Sequence, residues 1–203
     1  RVWNYWNADV VYAKGSHNNE IGNPAKAYGL LIDAVNINHG EPLYFSELGY
    51  AEAGTAVLEA NRNASISAQL KNMAERDTQK ALEISPANLS LWRTAIRTYY
   101  LLATLNSDYS RQTLESLDQA MKLAPTDPKL PYNKALVLQQ LKNASGSAAV
   151  AAATIANLRQ AISLKPNYRE AHLALADFYH DINQDDEAIA EVEIVLKLIP
   201  NDP

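Results

Sequence analysis

Apolar residues recur along this chain three and four positions apart, in runs separated by short polar segments. That spacing predicts amphipathic helices, since strands would alternate with a period of two. The last two runs predict helices over Arg169–Ile182 and Asp186–Leu198, joined by Asn183-Gln184-Asp185. Leu175, Ala176 and Tyr179 face inward on the first, and Ala188, Val192 and Val195 on the second. Upstream, a first helix covers Val2–Ala13, broken by Gly15 and the polar run Ser16–Glu20. Trp6 is expected between the helices of this first hairpin, whereas Trp3 and Tyr5 have no preceding helix to cover them. Asn23-Pro24 opens the next helix as an N-cap followed by proline at the first helical position. Further helices are expected at about Leu43–Ala60 and about Ile66–Ile84, the latter with Leu70, Met73, Ala74, Asp77, Ala81 and Ile84 at helical spacing. Asn88 caps a helix through Trp92, Ile96, Tyr99 and Leu102, and Arg111–Leu123 follows. Asp127-Pro128 opens another, and Asn143-Ala-Ser-Gly-Ser147 reads as a flexible loop before the alanine-rich Ala148–Leu164.

The helix endings repeat. Val195-Leu-Lys-Leu-Ile-Pro200 recurs as Ala161-Ile-Ser-Leu-Lys-Pro166, Ala120-Met-Lys-Leu-Ala-Pro125 and Ala81-Leu-Glu-Ile-Ser-Pro86, with a copy at Ala34–His39 that has lost its proline. From the C-terminus, the end points lie 34, 41, 39 and 47 residues apart. A small residue lets helices approach closely, apolar residues follow on the buried stripe, and proline stops the helix. Such hairpins cannot bury their apolar faces alone and must stack on their neighbours.

With Pro200 at the closing position, the chain resembles the tetratricopeptide-repeat family. Leu175-Ala176, Tyr179, Ala188, Val192 and Val195 match its small and bulky positions in the last unit. Trp92, Tyr99, Leu117, Ala120 and Pro125 match in the third, and Leu48-Gly49, Ala74, Ala81 and Pro86 in the second. The first matches through Trp6, Gly22-Asn23, Ala27, Leu31 and Ala34. The resemblance implies an all-α, right-handed α-solenoid of five antiparallel helix hairpins forming one domain over residues 1–203, with units near 2–39, 42–86, 89–125, 128–166 and 169–200. It also implies a protein- or peptide-binding scaffold rather than an enzyme.

Composition narrows the chemistry. A formal net charge of −5 gives no electrostatic footprint for nucleic acid, and no polybasic segment suggests binding to a membrane surface. The absence of cysteine excludes disulfides, thiolate zinc sites and a cysteine nucleophile. No apolar run reaches the roughly 18 residues of a membrane helix, and no signal peptide is visible. A start at Arg1 is read as a processed or excised piece of something longer. On the final helix Ile189, Val192, Val195, Leu196 and Ile199 form a stripe that Ile194 and Leu198 widen. That is more apolar surface than a terminal repeat normally leaves exposed, and self-association through it is one expectation.

No catalytic constellation emerges. His17, His39, His172 and His180 lie in different units or on different faces and read as surface or groove histidines. Asp185-Asp186-Glu187 suits the positive end of a helix macrodipole better than a cation site. There is no phosphate loop, no G-x-S-x-G and no H-E-x-x-H. No cofactor and no metal are expected. The sequons at Asn63, Asn88 and Asn143 read as chance in an asparagine-rich chain.

The family resemblance places a ligand on the concave face, lined by the first helix of each hairpin. Carried onto this sequence, that face offers Arg93, Thr94, Arg97 and Tyr100 in the third unit. The fourth offers Lys129, Tyr132, Asn133, Gln139 and Gln140, and the fifth Glu170, Asp177, His180 and Asp181. Arg93, Arg97 and Lys129 would hold carboxylates, Asn133 would pair with a peptide backbone, and the C-terminal end would be acidic. Chaperone-tail clamps need basic residues where Glu170 and Ala174 stand.

A second resemblance rests on Trp6-Asn-Ala-Asp-Val-Val-Tyr-Ala-Lys-Gly15, Glu41-Pro-Leu-Tyr44 and Glu47-Leu48. These are similar to the C-terminal repeat region of bacterial O-antigen ligase or polymerase-like membrane proteins. The resemblance implies a non-catalytic, extracytoplasmic tail; without it, a cytoplasmic location is expected.

Overall fold

The computed structural model describes residues 2–145 and 147–198, with side chains from 6 to 141 and from 147 to 198. The expectations for Trp3, Tyr5, the Asn143 side chain, Ile199 and Pro200 lie outside these residues. Within them the chain is all-α, with ten helices and no strand: α1 (Val2–Glu20), α2 (Pro24–Ile37), α3 (Pro42–Glu59), α4 (Ala64–Ile84), α5 (Leu89–Ala103), α6 (Tyr109–Leu123), α7 (Lys129–Ser145), α8 (Ala148–Leu164), α9 (Arg169–Asp181) and α10 (Asp185–Leu198).

The repeated endings do what their residue types require. Ala34, Ala81, Ala120 and Ala161 are all buried, as is Val195 at the matching place on α10. α4, α6 and α8 stop just before Pro86, Pro125 and Pro166. Helix starts are fixed by side chains that accept otherwise orphaned backbone N–H groups. Asn63 accepts from Ile66, Asn88 from Ser90 and Asp127 from Lys129. This capping accounts for asparagine at two of the three sequons. Asn23 occupies the N-cap of α2 but makes no side-chain capping bond, so Pro24 alone favours that start.

The chain divides into two compact units, Arg1–Gln119 and Ala120–Pro203. In the first, α3 is the central element: it packs on α1, α2, α4 and α5 and buries residues on nearly every side from Tyr44 to Ala56. Ala8, Ala27, Leu31, Phe45 and Leu48 join it in one cluster. Tyr99 and Tyr109 stack at 6.2 Å in the next, where the Tyr109 hydroxyl donates to Glu75 at 2.8 Å. Burial first, then the charge of Glu75, pushes Tyr99 up to about 12. In the second unit, Leu158, Leu175, Phe178 and Tyr179 pack with Ala135 and Ala188. Arg159 donates to the Tyr179 hydroxyl at 2.7 Å.

Four expectations need correction. α1 does not break at Gly15 but continues to Glu20. Gly15 is a contact point, because a Cβ there would sit 2.6 Å from Cγ of Leu31. Trp6 is 61% exposed rather than buried between the first two helices. The segment expected to loop from Asn143 is helical through Ser145. His172 is 4% exposed, not a surface residue. Its Nδ1 lies 2.6 Å from the Glu191 carboxylate and its Nε2 2.9 Å from the Pro166 carbonyl, tying α9 to α10 and to the turn before it.

α1 and α9 end in the same way. After α1, the N–H of Asn23 reaches the Asn18 carbonyl and that of Gly22 the Asn19 carbonyl; after α9, Gln184 reaches Tyr179 and Asn183 reaches His180. Each is a Schellman ending with one residue in the left-handed region, Gly22 at φ 74° and Asn183 at φ 59°. No atom outside Gly22's own neighbours lies within 4 Å of where its Cβ would be, so only backbone conformation opposes a side chain there. Gly22→Ala is therefore expected to lower stability by about 1 kcal/mol, measured by denaturant unfolding.

Candidate ligand-binding site

The residues expected to contact a ligand fall in both units. In the first unit Arg93, Arg97 and Tyr100 share an exposed face of α5. The Arg97 guanidinium lies 4.0 Å from the ring of Tyr50, so a first-helix residue of the preceding hairpin already holds it. Thr94 is buried, and its carbonyl accepts from Thr98. In the second unit Lys129, Asn133 and Gln140 are exposed on α7, while Gln139 is half-buried. Tyr132 is turned inward, 5.2 Å from the ring of Tyr168, and packs against the core. Glu170 and Asp181 are exposed on α9.

Asp177 and His180 are the pair that geometry brings together. They sit one turn apart on α9 and line a cleft of about 660 Å³ between α9 and α10. Its floor is Ala176 and Ala188, where the helices approach closely, and its far wall is Ile189, Val192 and Leu196. Ile189 and Leu196 are 57% and 66% exposed, more than large aliphatic side chains normally are. Asp177, Asp185 and Glu193 set carboxylates around this apolar surface. The α10 wall lies on the second helix of its hairpin, outside the first-helix positions from which the sequence predicts ligand contacts. The signal for it was already present in the widened apolar stripe of the final helix.

Electrostatics at the rim centre on His180, whose Nδ1 lies 2.7 Å from the Asp185 carboxylate. That hydrogen bond, then the charge of Asp185 with smaller contributions from Asp181 and Asp177, raises the imidazole's pKa above its ordinary value. The ring therefore carries a positive charge to higher pH than a free histidine and offsets part of the acidic rim. Among the described residues no group of three or more His, Asp or Glu could hold a metal ion, and no helix is long and apolar enough to cross a membrane.

Comparison with known proteins agrees with this architecture. Residues 149–203 match the family model described as Tetratricopeptide repeat. No curated protein matches the chain. Among solved structures it is similar to MamA from Desulfovibrio magneticus RS-1, with 17% identity, a TM-score of 0.66 and 94% of each chain covered. It is also similar to TTC0263, a thermophilic tetratricopeptide-repeat protein of Thermus thermophilus, with 21% identity, a TM-score of 0.60, and 96% of this chain and 93% of that one covered. A third is YrrB, described as a tetratricopeptide-repeat protein with an unusual peptide-binding site, with 12% identity, a TM-score of 0.60, and 95% and 86% covered. The chain thus has the fold of tetratricopeptide-repeat structures, and its C-terminal residues 149–203 match that family's sequence model.

Proposed function

We propose that this chain is a non-catalytic scaffold, a single array of helix hairpins over residues 1–203, that binds a polypeptide segment of a partner. The observation that carries the reading is the α9–α10 cleft, where exposed aliphatic side chains lie beside a rim of carboxylates. Its charge suits a segment with apolar residues for the wall and Lys or Arg for Asp177, Asp185 and Glu193. Arg93, Arg97 and Tyr100 on α5, and Lys129, Tyr132, Asn133 and Gln140 on α7, are proposed as further contacts within their own units. The peptide-binding site named for YrrB lends the scaffold reading support by analogy of fold.

Fluorescence anisotropy with two labelled peptides of equal length, one alternating Leu with Lys and the other Leu with Glu, tests the site. The Lys peptide is expected to bind and the Glu peptide not. Val192→Glu is expected to weaken binding about tenfold or more by placing a charge on the apolar wall. Rising pH removes the His180 charge and leaves the rim more negative, so affinity for the Lys peptide should increase as pH climbs past the raised pKa of that ring. Equal binding of both peptides, or an unchanged affinity in the variant, overturns the assignment. So does self-association that buries α10, seen as a mass that grows with concentration in light scattering.

The Trp6–Gly15 and Glu41–Leu48 resemblance favours a second reading, an extracytoplasmic accessory repeat domain of an O-antigen ligase or polymerase-like glycan-transfer membrane protein. Its test is the parent reading frame, which should then encode many apolar segments of about 20 residues. A frame without them removes this reading and leaves the scaffold proposal standing.

A further inference from the structure

One inward-facing position of α3 is a carboxylic acid. Glu52 has 0% exposure, and no hydrogen-bond donor among the described residues reaches either of its carboxyl oxygens. Beside it on α4, Asp77 is also buried but already paired, because Arg76 donates to both of its oxygens at 2.8 and 3.0 Å. A bare carboxylate in the position of Glu52 would be prohibitively costly, so the acid keeps a proton. Burial first, then the charge of Asp77, pushes Glu52 up to about 9.

Both acids line a cleft of about 450 Å³ formed by residues of α2, α3 and α4. Ile32, Val35, Phe45, Leu48 and Met73 form the apolar part of its wall, and Asn36, Arg76 and Lys80 complete it. Lys80, also at this cleft, lies over the Phe45 ring at 4.2 Å. The cleft is thus an apolar slot that contains a buried acceptor supplied with nothing but a proton.

We propose that this slot binds a primary alkylammonium group, which takes the proton's place between Glu52 and Asp77 while its alkyl stem lies along the apolar walls. Other ligand classes fit less well. An anion meets Arg76 and Lys80 in this cleft but also the Asp77 carboxylate, and it brings no donor to the Glu52 oxygens; a neutral apolar molecule gains nothing from the acid pair. A hard metal ion needs more oxygen ligands than two carboxyls supply, and no third acidic or imidazole side chain among the described residues completes a metal-binding group here. An ammonium on a flexible stem buries its methylenes and brings three donors to oxygens converging from two helices. The cleft's net charge is unchanged by the exchange, since one proton leaves Glu52 for each cation that arrives. The other groups facing the acid are Tyr28 of α2, whose own pKa is raised by burial and then by Glu52 and Asp77, and Arg76 and Lys80 of α4. The charges that α1 and α5 bring to α3 act elsewhere on it, Asp9 at Tyr44 and Arg97 at Tyr50.

Calorimetry with n-butylamine and with the peptide acetyl-Gly-Lys-Gly-amide, in two buffers of different ionisation heat, reads both binding and the proton. At pH 7 each bound amine is expected to release close to one proton, falling toward none above the titration of Glu52. Tighter binding of the peptide marks a partner's lysine as the natural source, and tighter binding of n-butylamine marks a free amine. Glu52→Gln is expected to weaken binding about tenfold or more. Asn36→Trp, an exposed substitution at the cleft that leaves the acid pair intact, should weaken it as well. Amide spectra of each variant establish that it is folded. Absence of binding by both probes, binding without proton release, or full affinity in either folded variant overturns the proposal.

Discussion

Glu52→Gln is expected to make the protein more stable than the natural chain at alkaline pH while leaving the two alike in mild acid. In the folded state Glu52 keeps its proton up to about 9, because it is buried beside Asp77. In the unfolded chain it loses that proton in the ordinary carboxylate range. Between those two values the native state binds more protons than the unfolded state, so stability falls as pH rises and levels off once Glu52 has ionised in both. Over pH 5 to 9 this single group is expected to remove about 5 kcal/mol, at about 1.4 kcal/mol for each pH unit. Glutamine keeps the shape and has nothing to titrate. Urea unfolding at each pH checks this: the variant's midpoint should stay flat where the natural chain's declines. Parallel pH profiles would mean that Glu52 is not held protonated. The raised tyrosines titrate above this window, Tyr99 up to about 12, and do not confuse the reading.

Phe178→Ala is expected to cost about 3–5 kcal/mol, the range for emptying an aromatic side chain from a packed interior. Phe178 is buried in the cluster that joins α7, α8, α9 and α10 through Ala135, Leu158, Leu175 and Ala188. Because the chain divides into two compact units, the loss should also be local. Hydrogen exchange is expected to show protection falling in α8 to α10 while α1 to α4 keep theirs. A loss below about 1 kcal/mol, or a uniform fall in protection along the chain, would contradict this packing.

The parts of the fold that were legible in the sequence are those in which one residue type has one physical use. An alanine followed by apolar residues and a proline marks a buried close approach and then a stop, and Ala34, Ala81, Ala120 and Ala161 all occupy such places. Asn88 and Asn183-Gln184 ended or began helices because asparagine accepts an N–H or tolerates positive φ. Misreadings came where one residue type has two uses. Glycine breaks helices and also lets them touch, and at Gly15 the contact with Leu31 decided the matter. Tryptophan is usually buried, but Trp6 near the start of α1 stays exposed. His172 looks like any polar helix residue until Glu191 and the Pro166 carbonyl are brought to it, one of them nineteen positions away.

The candidate site was legible in part. Asp177 and His180 were placed from the family's inward positions, and the surplus of apolar residues on the last helix hinted at the surface opposite them. Nothing local in Leu48–Ala56 distinguishes Glu52 from a solvated glutamate. Only the ring of helices around α3 shows that it is buried, and only α4 shows what it faces. Asp77, by contrast, already fell on the buried stripe of its helix with Leu70, Ala74 and Ala81.

The most direct measurement is a titration of isotope-labelled protein with the Leu/Lys peptide, following the amide signals of the second unit. Shifts concentrated on Asp177, His180, Ala188, Val192 and Leu196, and lost in Val192→Glu, are the expected result. An absence of shifts, or shifts that leave the α9–α10 cleft untouched, would contradict the scaffold site.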